Sequence, residues 1–358
     1  MTAPAGATMR ALLSLPAGAA SGNCVAPAAG LLKYGSALER GWPGWFGCVD
    51  WFCCCDPNTA IPNAADARSA NESRRFTVAS LSCNEFALQT MHRQTRRVQI
   101  RVMSFNIRYA AAQDEGNSWD HRKALVVGRI RAFDPDLLGV QECLAGAQAG
   151  YVRTHLPQYE LYGIEGDTGD AGAEMAPVLY KKEVFEETRR GHFWLSETPY
   201  LWGSRSWDSW FARAAVWTEL LHKPSGRSLI FLNTHIDPAP AAADESAALL
   251  GHWIAARERH HPLIVTGDFN VDKNGLTYSW LLARALVFDV HRRLHPDRNP
   301  APTYHGYGEA MEQAPLDGIL ASRHFRATAA DIDTYHDGAL FPSDHYPMTA
   351  VLDWQDAP

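Results

Sequence analysis

Five short polar motifs stand where apolar runs end. They are Phe105-Asn106, Gln141-Glu142, Asn233-Thr234-His235, Gly267-Asp268-Phe269-Asn270 and Ser343-Asp344-His345. The runs before them are Val102-Met103, Leu137–Val140, Leu229–Leu232, Leu263–Val265 and the Phe341-Pro342 approach. Strands carry side chains to a sheet edge, and polar groups gathered at several strand ends make a pre-organised site. The groups are carboxylates, amides and imidazoles, with no serine or cysteine nucleophile motif among them. That inventory suits a hard divalent cation and a water nucleophile acting on a phosphate ester.

The elements that must position these motifs are legible from Val98 onward. Val98, Ile100 and Val102 alternate with polar residues, which predicts a half-buried strand. Asn117-Ser118 offers a helix cap before Trp119, and Val126, Ile130 and Phe133 follow on one helical face. Asp134-Pro135-Asp136 ends that helix, since the residue before proline avoids the helical region. Strands are predicted at 137–141, 178–180, 214–221, 229–234, 263–267, 316–320 and 348–352. A helix is predicted over 244–258, with Ala248, Leu249, Trp253 and Ala256 along its packed side. Strands dominate and only some are joined by helices, which favours mixed sheets with helices outside over a doubly wound parallel sheet.

Composition narrows the class. The 358 residues are 46% hydrophobic and 20% charged, as in a globular protein. The net charge of −7 lacks the basic field that long nucleic acid usually selects. No apolar run reaches the roughly 20 residues that span a bilayer, so there is no transmembrane segment to read. Residues 1–97 differ from the rest and read as a low-complexity, poorly ordered extension. The first part is rich in Ala, Gly and Pro, and Arg10 before an apolar stretch gives a weak targeting signal. Six of the seven cysteines lie there, including the Cys53-Cys54-Cys55 run beside tryptophans, which admits acylation or metal binding. Only Cys143 lies in 98–358, so that part contains no internal disulfide and is compatible with a reducing compartment.

Six motifs in order resemble the endonuclease/exonuclease/phosphatase superfamily: Met103–Ile107, Gly139–Glu142, Asn233–His235, Thr266–Asn270, Leu316–Ile319 and Pro342–Pro347. The resemblance covers about Val98 to Asp353, and Asn117–Asp120 with Phe193–Pro199 looks like a bacterial-type branch. It implies a four-layer αββα sandwich with two central mixed β-sheets, as in deoxyribonuclease I, and a catalytic domain over 98–358. It implies Mg²⁺ or Mn²⁺ as cofactor, with Glu142 as principal metal ligand and Asn106 lining the metal and phosphate pocket. Asp268 is expected to orient or deprotonate the attacking water, and Asn270 to donate to a phosphoryl oxygen. His345 is expected to stabilise phosphoryl charge, and His235 to contact the phosphate or assist the leaving group. Asp317 is expected to position the imidazole or the metal, although Gly318 replaces the aromatic residue usual after this aspartate.

Some assignments rest on the residues themselves. Asp344 directly before His345 reads as a carboxylate steering an imidazole. Arg213 suits a phosphate or carboxylate fork, or equally a structural ion pair. Glu174 is a candidate for a polar network near the site, and Thr303–Gly306 for a loop on its rim. Asp237, before Pro238, reads as a turn residue. Trp194, Trp202, Trp207, Trp210 and Trp217 could pack in the core, stack bases or sugars, or contact a membrane surface.

The leading expectation is therefore a metal-dependent phosphoesterase, either a nuclease or a nucleotide phosphodiesterase. The alternative is a lipid or sugar-phosphate phosphatase or phosphodiesterase of the inositol phosphatase or sphingomyelinase kind. A non-catalytic binding module that kept the fold ranks below both.

Overall fold

The computed structural model describes residues 98–166, 174–296, 301–309 and 314–356. The expectations for the 1–97 extension and its cysteines lie outside these residues. The chain runs through β1 (Ile100–Asn106), α1 (Trp119–Phe133), β2 (Leu137–Gln141), β3 (Cys143–Leu144), α2 (Ala147–His155), β4 (Tyr159–Tyr162), β5 (Glu174–Met175), β6 (Val178–Lys181) and β7 (Phe185–Trp194). It continues through β8 (Ala214–His222), β9 (Arg227–His235), α3 (Pro240–Glu258), β10 (Leu263–Asp268), α4 (Leu276–Ala285), β11 (Val287–Asp289), α5 (Val290–Leu294), β12 (Asp317–Ser322), β13 (Phe325–Ile332) and β14 (Met348–Trp354).

The strands form two six-stranded mixed sheets, ordered β13-β14-β1-β2-β6-β4 and β11-β12-β10-β9-β8-β7. Buried side chains fall into three main apolar layers. One lies between the sheets, where Ile100, Val102, Leu137 and Val178 meet Leu229, Phe231, Ile264 and Ile319. A second joins Met103, Phe105, Leu138 and Val140 to Val126 and Ile130 of α1 and Val152 of α2. The third joins Ile230, Leu232 and Val265 to Ala247, Leu250 and Ile254 of α3 and Tyr278 and Leu281 of α4. Helix, sheet, sheet, helix is the expected αββα sandwich.

Strand periodicity places the polar motifs. On β1 the inter-sheet face reads Ile100, Val102, Ser104, Asn106; on β2 it reads Leu137, Gly139, Gln141. On β9 it reads Leu229, Phe231, Asn233, His235; on β10, Ile264, Thr266, Asp268. Each strand is apolar at one end of the sandwich and polar at the other. The polar half is zipped across the sheets: Gln141 Nε2 donates to Asn233 Oδ1 (2.7 Å), and Asn233 Nδ2 donates to Val140 O (2.7 Å) and Pro177 O (2.9 Å). Gly139 makes that approach possible. A Cβ there would lie 2.0 Å from Thr266 Oγ1 and 2.5 Å from Asn233 Oδ1.

Several expectations are corrected. β1 is not half-buried: helices cover one face and the second sheet the other, so Ile100 through Ile107 are buried apart from Arg101. Val98 lies before the strand and is exposed. Helix α3 begins at Pro240, and its most buried stripe is Ala243, Ala247, Leu250 and Ile254; the expected Leu249 and Trp253 pack part-buried beside it, while Ala256 faces solvent. Helix α1 ends as expected, with Asp134 in the left-handed region (φ 52°) and its N–H on Ile130 O.

Candidate active site

Register alone brings part of the site together. In the second sheet Asp268 pairs with His235 on β9 and with Asp317 on β12, so three ionisable residues lie side by side at one sheet end. In the first sheet Asn106 pairs with Gln141, which puts Glu142 at the same end of the sandwich. Asn106 Nδ2 joins the halves, donating to Glu142 Oε1 and to Asp268 Oδ2 at 3.0 Å each. Its Oδ1 accepts from Arg108 N (3.0 Å). The side chain expected to line a metal pocket thus acts here as a donor between two carboxylates. Glu142 itself sits at φ 56° and also accepts from Tyr109 N (3.1 Å). A left-handed backbone on a side-chain-bearing residue is uncommon and gathers at functional sites.

Asp268 is buried and accepts from Asn270 N (3.1 Å) besides Asn106. Burial raises its pKa to about 7, with Asp317 and Glu142 adding repulsion. His345 lies 3.8 Å away through Nε2. Its Nδ1 is 2.8 Å from Asp317 Oδ2. Burial opposes its charge, but Asp317 and Asp268 outweigh that and raise its pKa to about 10, so the ring is an imidazolium at neutral pH. The backbone N–H groups of Leu316 and Asp317 both donate to Thr303 Oγ1, and Tyr304 stands over the His345 ring at 5.1 Å. The Thr303–Gly306 segment thus packs beside Asp317 and His345, with Thr303 and His305 buried.

Asp317 holds the His345 imidazole, as the resemblance implies, while two other role assignments change. Asp344 instead accepts from Ser343 Oγ (3.2 Å) and lies 3.6 Å from Arg108 Nε. Asn270 Nδ2 donates to His235 Nε2 (3.0 Å) and Ile236 O (2.9 Å), so both its N–H groups are used inside the protein rather than offered to a substrate. His235, 3.5 Å from Asp268, is held neutral: burial lowers its pKa well below the ordinary value, helped by Arg213 and His345. With Nε2 accepting from Asn270, its proton sits on Nδ1, which is buried without a partner among the described residues. The unusual Gly318 is explained by its neighbour, since a Cβ there would lie 2.8 Å from the Phe269 ring.

Arg213 Nη1 is 2.7 Å from Glu174 Oε2, and the two line a small recess with His235. Burial raises the Glu174 pKa, and nearby Glu142 adds to it. Asp237 does more than turn the chain: it accepts from Ala239 N (2.9 Å) and tethers Phe211 N (2.8 Å). The tryptophans divide: Trp194 is buried, Trp217 packs against Trp253, and Trp202 and Trp210 are exposed. Sequence reasoning missed Arg108, Arg122 and Gln148, which support the Asn106 end of the site. Arg108 stands two residues after Asn106 in the same strand-end motif, which was the one available signal.

The donor set fits a hard divalent cation. Glu142, Asp268, Asp317, Asp344 and Glu174 crowd carboxylates into one region, the three aspartates buried, and repulsion from Asp317 and Glu142 adds to the burial that raises the Asp268 pKa. Ligand atoms of Asp268, Asp317 and His345 lie within 4.8 Å of one another, which also admits a metal.

Comparison with known proteins agrees with the fold. A family model described as "Endonuclease/Exonuclease/phosphatase family" matches residues 103–345, from the middle of β1 to His345. The chain belongs to that family. Among solved structures, a family member from Bacteroides vulgatus is 30% identical with a TM-score of 0.65, over 72% of this chain and 99% of that one. A mannosyl-6-phosphatase from Bacteroides thetaiotaomicron is 28% identical with a TM-score of 0.63, over 71% of this chain and all of its own. Nocturnin of Mus musculus is 24% identical over 284 residues, 69% of this chain, and the match spans 63% of Nocturnin's length.

Proposed function

We propose that the protein hydrolyses phosphate esters with an activated water and a divalent cation, Mg²⁺ or Mn²⁺. The observation that carries this is Asp268: a carboxylate with a pKa near 7, fixed by Asn106 and Asn270 N–H, facing an imidazolium that Asp317 holds. A base poised near neutrality beside a fixed cationic donor is what attack of water on phosphate requires. Asp268 takes or orients the water proton. His345 donates Nε2–H to a phosphoryl oxygen, and Asp317 keeps that ring charged and aimed. His235 and Asn270 brace each other and fix the Asp268 loop. A cation held by Glu142 would polarise the phosphate and offset its charge.

For substrate, we place a small phosphorylated metabolite, such as a sugar phosphate, ahead of a nucleic acid. Arg213 is already paired with Glu174, Arg108 shares its guanidinium with Asp114, and the net charge is −7, so little positive charge is left beyond a single phosphate. That favours a compact substrate over a long polyanion, and the likeness to a mannosyl-6-phosphatase points the same way. A nuclease or nucleotide phosphodiesterase, the first expectation from sequence, is the second reading. The test is turnover of sugar phosphates, a nitrophenyl phosphodiester and oligonucleotides, each with Mg²⁺, with Mn²⁺ and with chelator. Turnover that survives chelation would overturn the metal assignment. Oligonucleotide cleavage that falls steeply with salt, without sugar-phosphate turnover, would reverse the order of substrates.

A further inference from the structure

Arg108 has a backbone held more tightly than its place in a loop requires. It sits at φ 52°, an unfavourable region for a residue with a side chain. Its N–H donates to Asn106 Oδ1 (3.0 Å), and its carbonyl accepts from Arg122 Nη2 (2.6 Å) and Gln148 Nε2 (2.8 Å). Arg122 is fully buried on α1 and also donates to Ile107 O, Asn117 O (2.9 Å) and Pro342 O (3.2 Å). A buried guanidinium is thus spent on carbonyls of the two loops that carry Arg108 and Asp344. Gln148, also buried, accepts from Ala110 N and Leu144 N, tying the same loop to the segment after Glu142.

What this clamp fixes is the direction of the Arg108 side chain. Nε and Nη2 make a side-on pair with Asp114, 3.0 Å each, and Asp114 also accepts from Tyr307 OH (3.0 Å). Nε lies 3.6 Å from Asp344 Oδ2. Of a guanidinium's five N–H donors, two are engaged by Asp114, and the others have no acceptor among the described residues. The side chain keeps 29% of its surface accessible. Burial opposes the charge, but Asp114, Asp344 and Glu142 raise the pKa, so the group stays charged.

We propose that Arg108 is a substrate-contacting residue, presenting the free end of its guanidinium to oxygens of the substrate phosphate beside Glu142 and Asp344. A planar fork with a fixed back edge matches phosphate in a way a lysine does not. The inference rests on the phosphoesterase reading. The competing role is a purely structural tie between the Asp114 and Tyr307 loops and the end of β1.

The experiment uses the full chain as wild type, Arg108→Ala and Arg108→Lys, each checked for fold by circular dichroism. Turnover is measured with Mg²⁺, and inorganic phosphate binding by calorimetry. Arg108→Ala should lower kcat/KM by about 10- to 100-fold, the scale of a lost hydrogen bond to a charged group. It should weaken phosphate binding, and millimolar guanidinium should restore part of its activity but none of the wild type's. Arg108→Lys should recover only a fraction. A folded Arg108→Ala that binds phosphate like wild type and gains nothing from guanidinium would overturn the proposal. If Arg108→Ala fails to fold, an Arg108→Lys protein with wild-type kcat/KM and phosphate affinity would overturn it equally. A wild type that neither turns over esters nor binds phosphate would instead sink the phosphoesterase reading itself.

Discussion

The ends of β1 and β2 hold Arg108 and Glu142 part-exposed, on backbones in the left-handed region. The ends of β9, β10 and β12 bury His235, Asp268 and Asp317, at 4%, 1% and 0% exposure, on regular strand pairing. One half of the site is accessible and conformationally strained. The other is dry and shifted in its proton affinities, with positive φ confined to Asn270 (49°) beyond the end of β10. Burial is what sets Asp268 near 7 and His235 well below its ordinary value, and those shifts need the low dielectric that an accessible half could not keep. The comparison suggests a division of labour in which the first sheet meets cation and substrate and the second sets protonation. Asn106 is bonded to both, through Glu142 and Asp268.

Asp268→Asn tests that division most severely. It should cut kcat by roughly 10²–10⁴ while leaving metal affinity largely in place. It should also stabilise the protein above pH 7. The folded state holds the Asp268 proton up to about 7, whereas an unfolded aspartate releases it near 3.9. Stability from this group is therefore present at low pH and lost as pH rises between those values, and the neutral amide escapes that loss. A variant that lost activity and melted lower at pH 8 would contradict the account of Asp268.

Glu142→Gln should do the reverse. Mg²⁺ affinity by calorimetry should fall, on the order of 10- to 100-fold, and saturating metal should recover part of kcat. If the two variants lost metal affinity equally, the separation into halves would fail.

How far this arrangement could be read from sequence depends on where each residue sits. Val140-Gln141-Glu142 and Val265–Asp268 were legible because central strands are covered on both faces, so the apolar run and its polar end stand out. The edge strands β7 and β13 were not, because Glu186–Gly191 and Arg326–Ala329 face water and leave no apolar run. The stripe on α3 was partly misplaced because its alanines give periodicity little contrast. Sequence adjacency put Asp344 forward as a partner of the His345 ring beside Asp317; the ring bonds to Asp317 because the loop before β14 folds back onto the start of β12, which adjacency disguises. Arg122 was hidden because a buried arginine is read as exposed until the carbonyls of two distant loops are seen around it.

A third test concerns protonation alone. Asp317→Asn removes the charge that most raises the His345 pKa. If the imidazolium is the working form, activity in the wild type persists as pH rises until about 10. In the variant the alkaline limb should move down toward the ordinary histidine range near 6.5. The contribution of this pair to stability has the same sign, full below about 6.5 and lost as pH rises toward 10. An alkaline limb that stayed in place would remove His345 from the proton-setting half.

The smallest effect on chemistry and the clearest on structure should come from Gly139→Ala. The added Cβ would meet Thr266 Oγ1 and Asn233 side-chain atoms within 3 Å, and these belong to the zip that joins the sheets just beneath the site. Neither neighbour can swing away cheaply, since Asn233 bonds to Val140 O and Pro177 O and Thr266 bonds to Asn233. The sheets must part slightly, at about 1–3 kcal/mol for overpacking of this kind. Because Asn106 and Glu142 stand on the first sheet and Asp268 on the second, a small separation should lengthen the Asn106–Asp268 bond that joins the halves. Metal affinity and kcat should then decline in parallel and modestly, unlike either carboxylate variant. A Gly139→Ala protein with a lowered melting temperature but only one of the two functions impaired would mean that the halves are held in register by something other than the Gln141–Asn233–Thr266 zip.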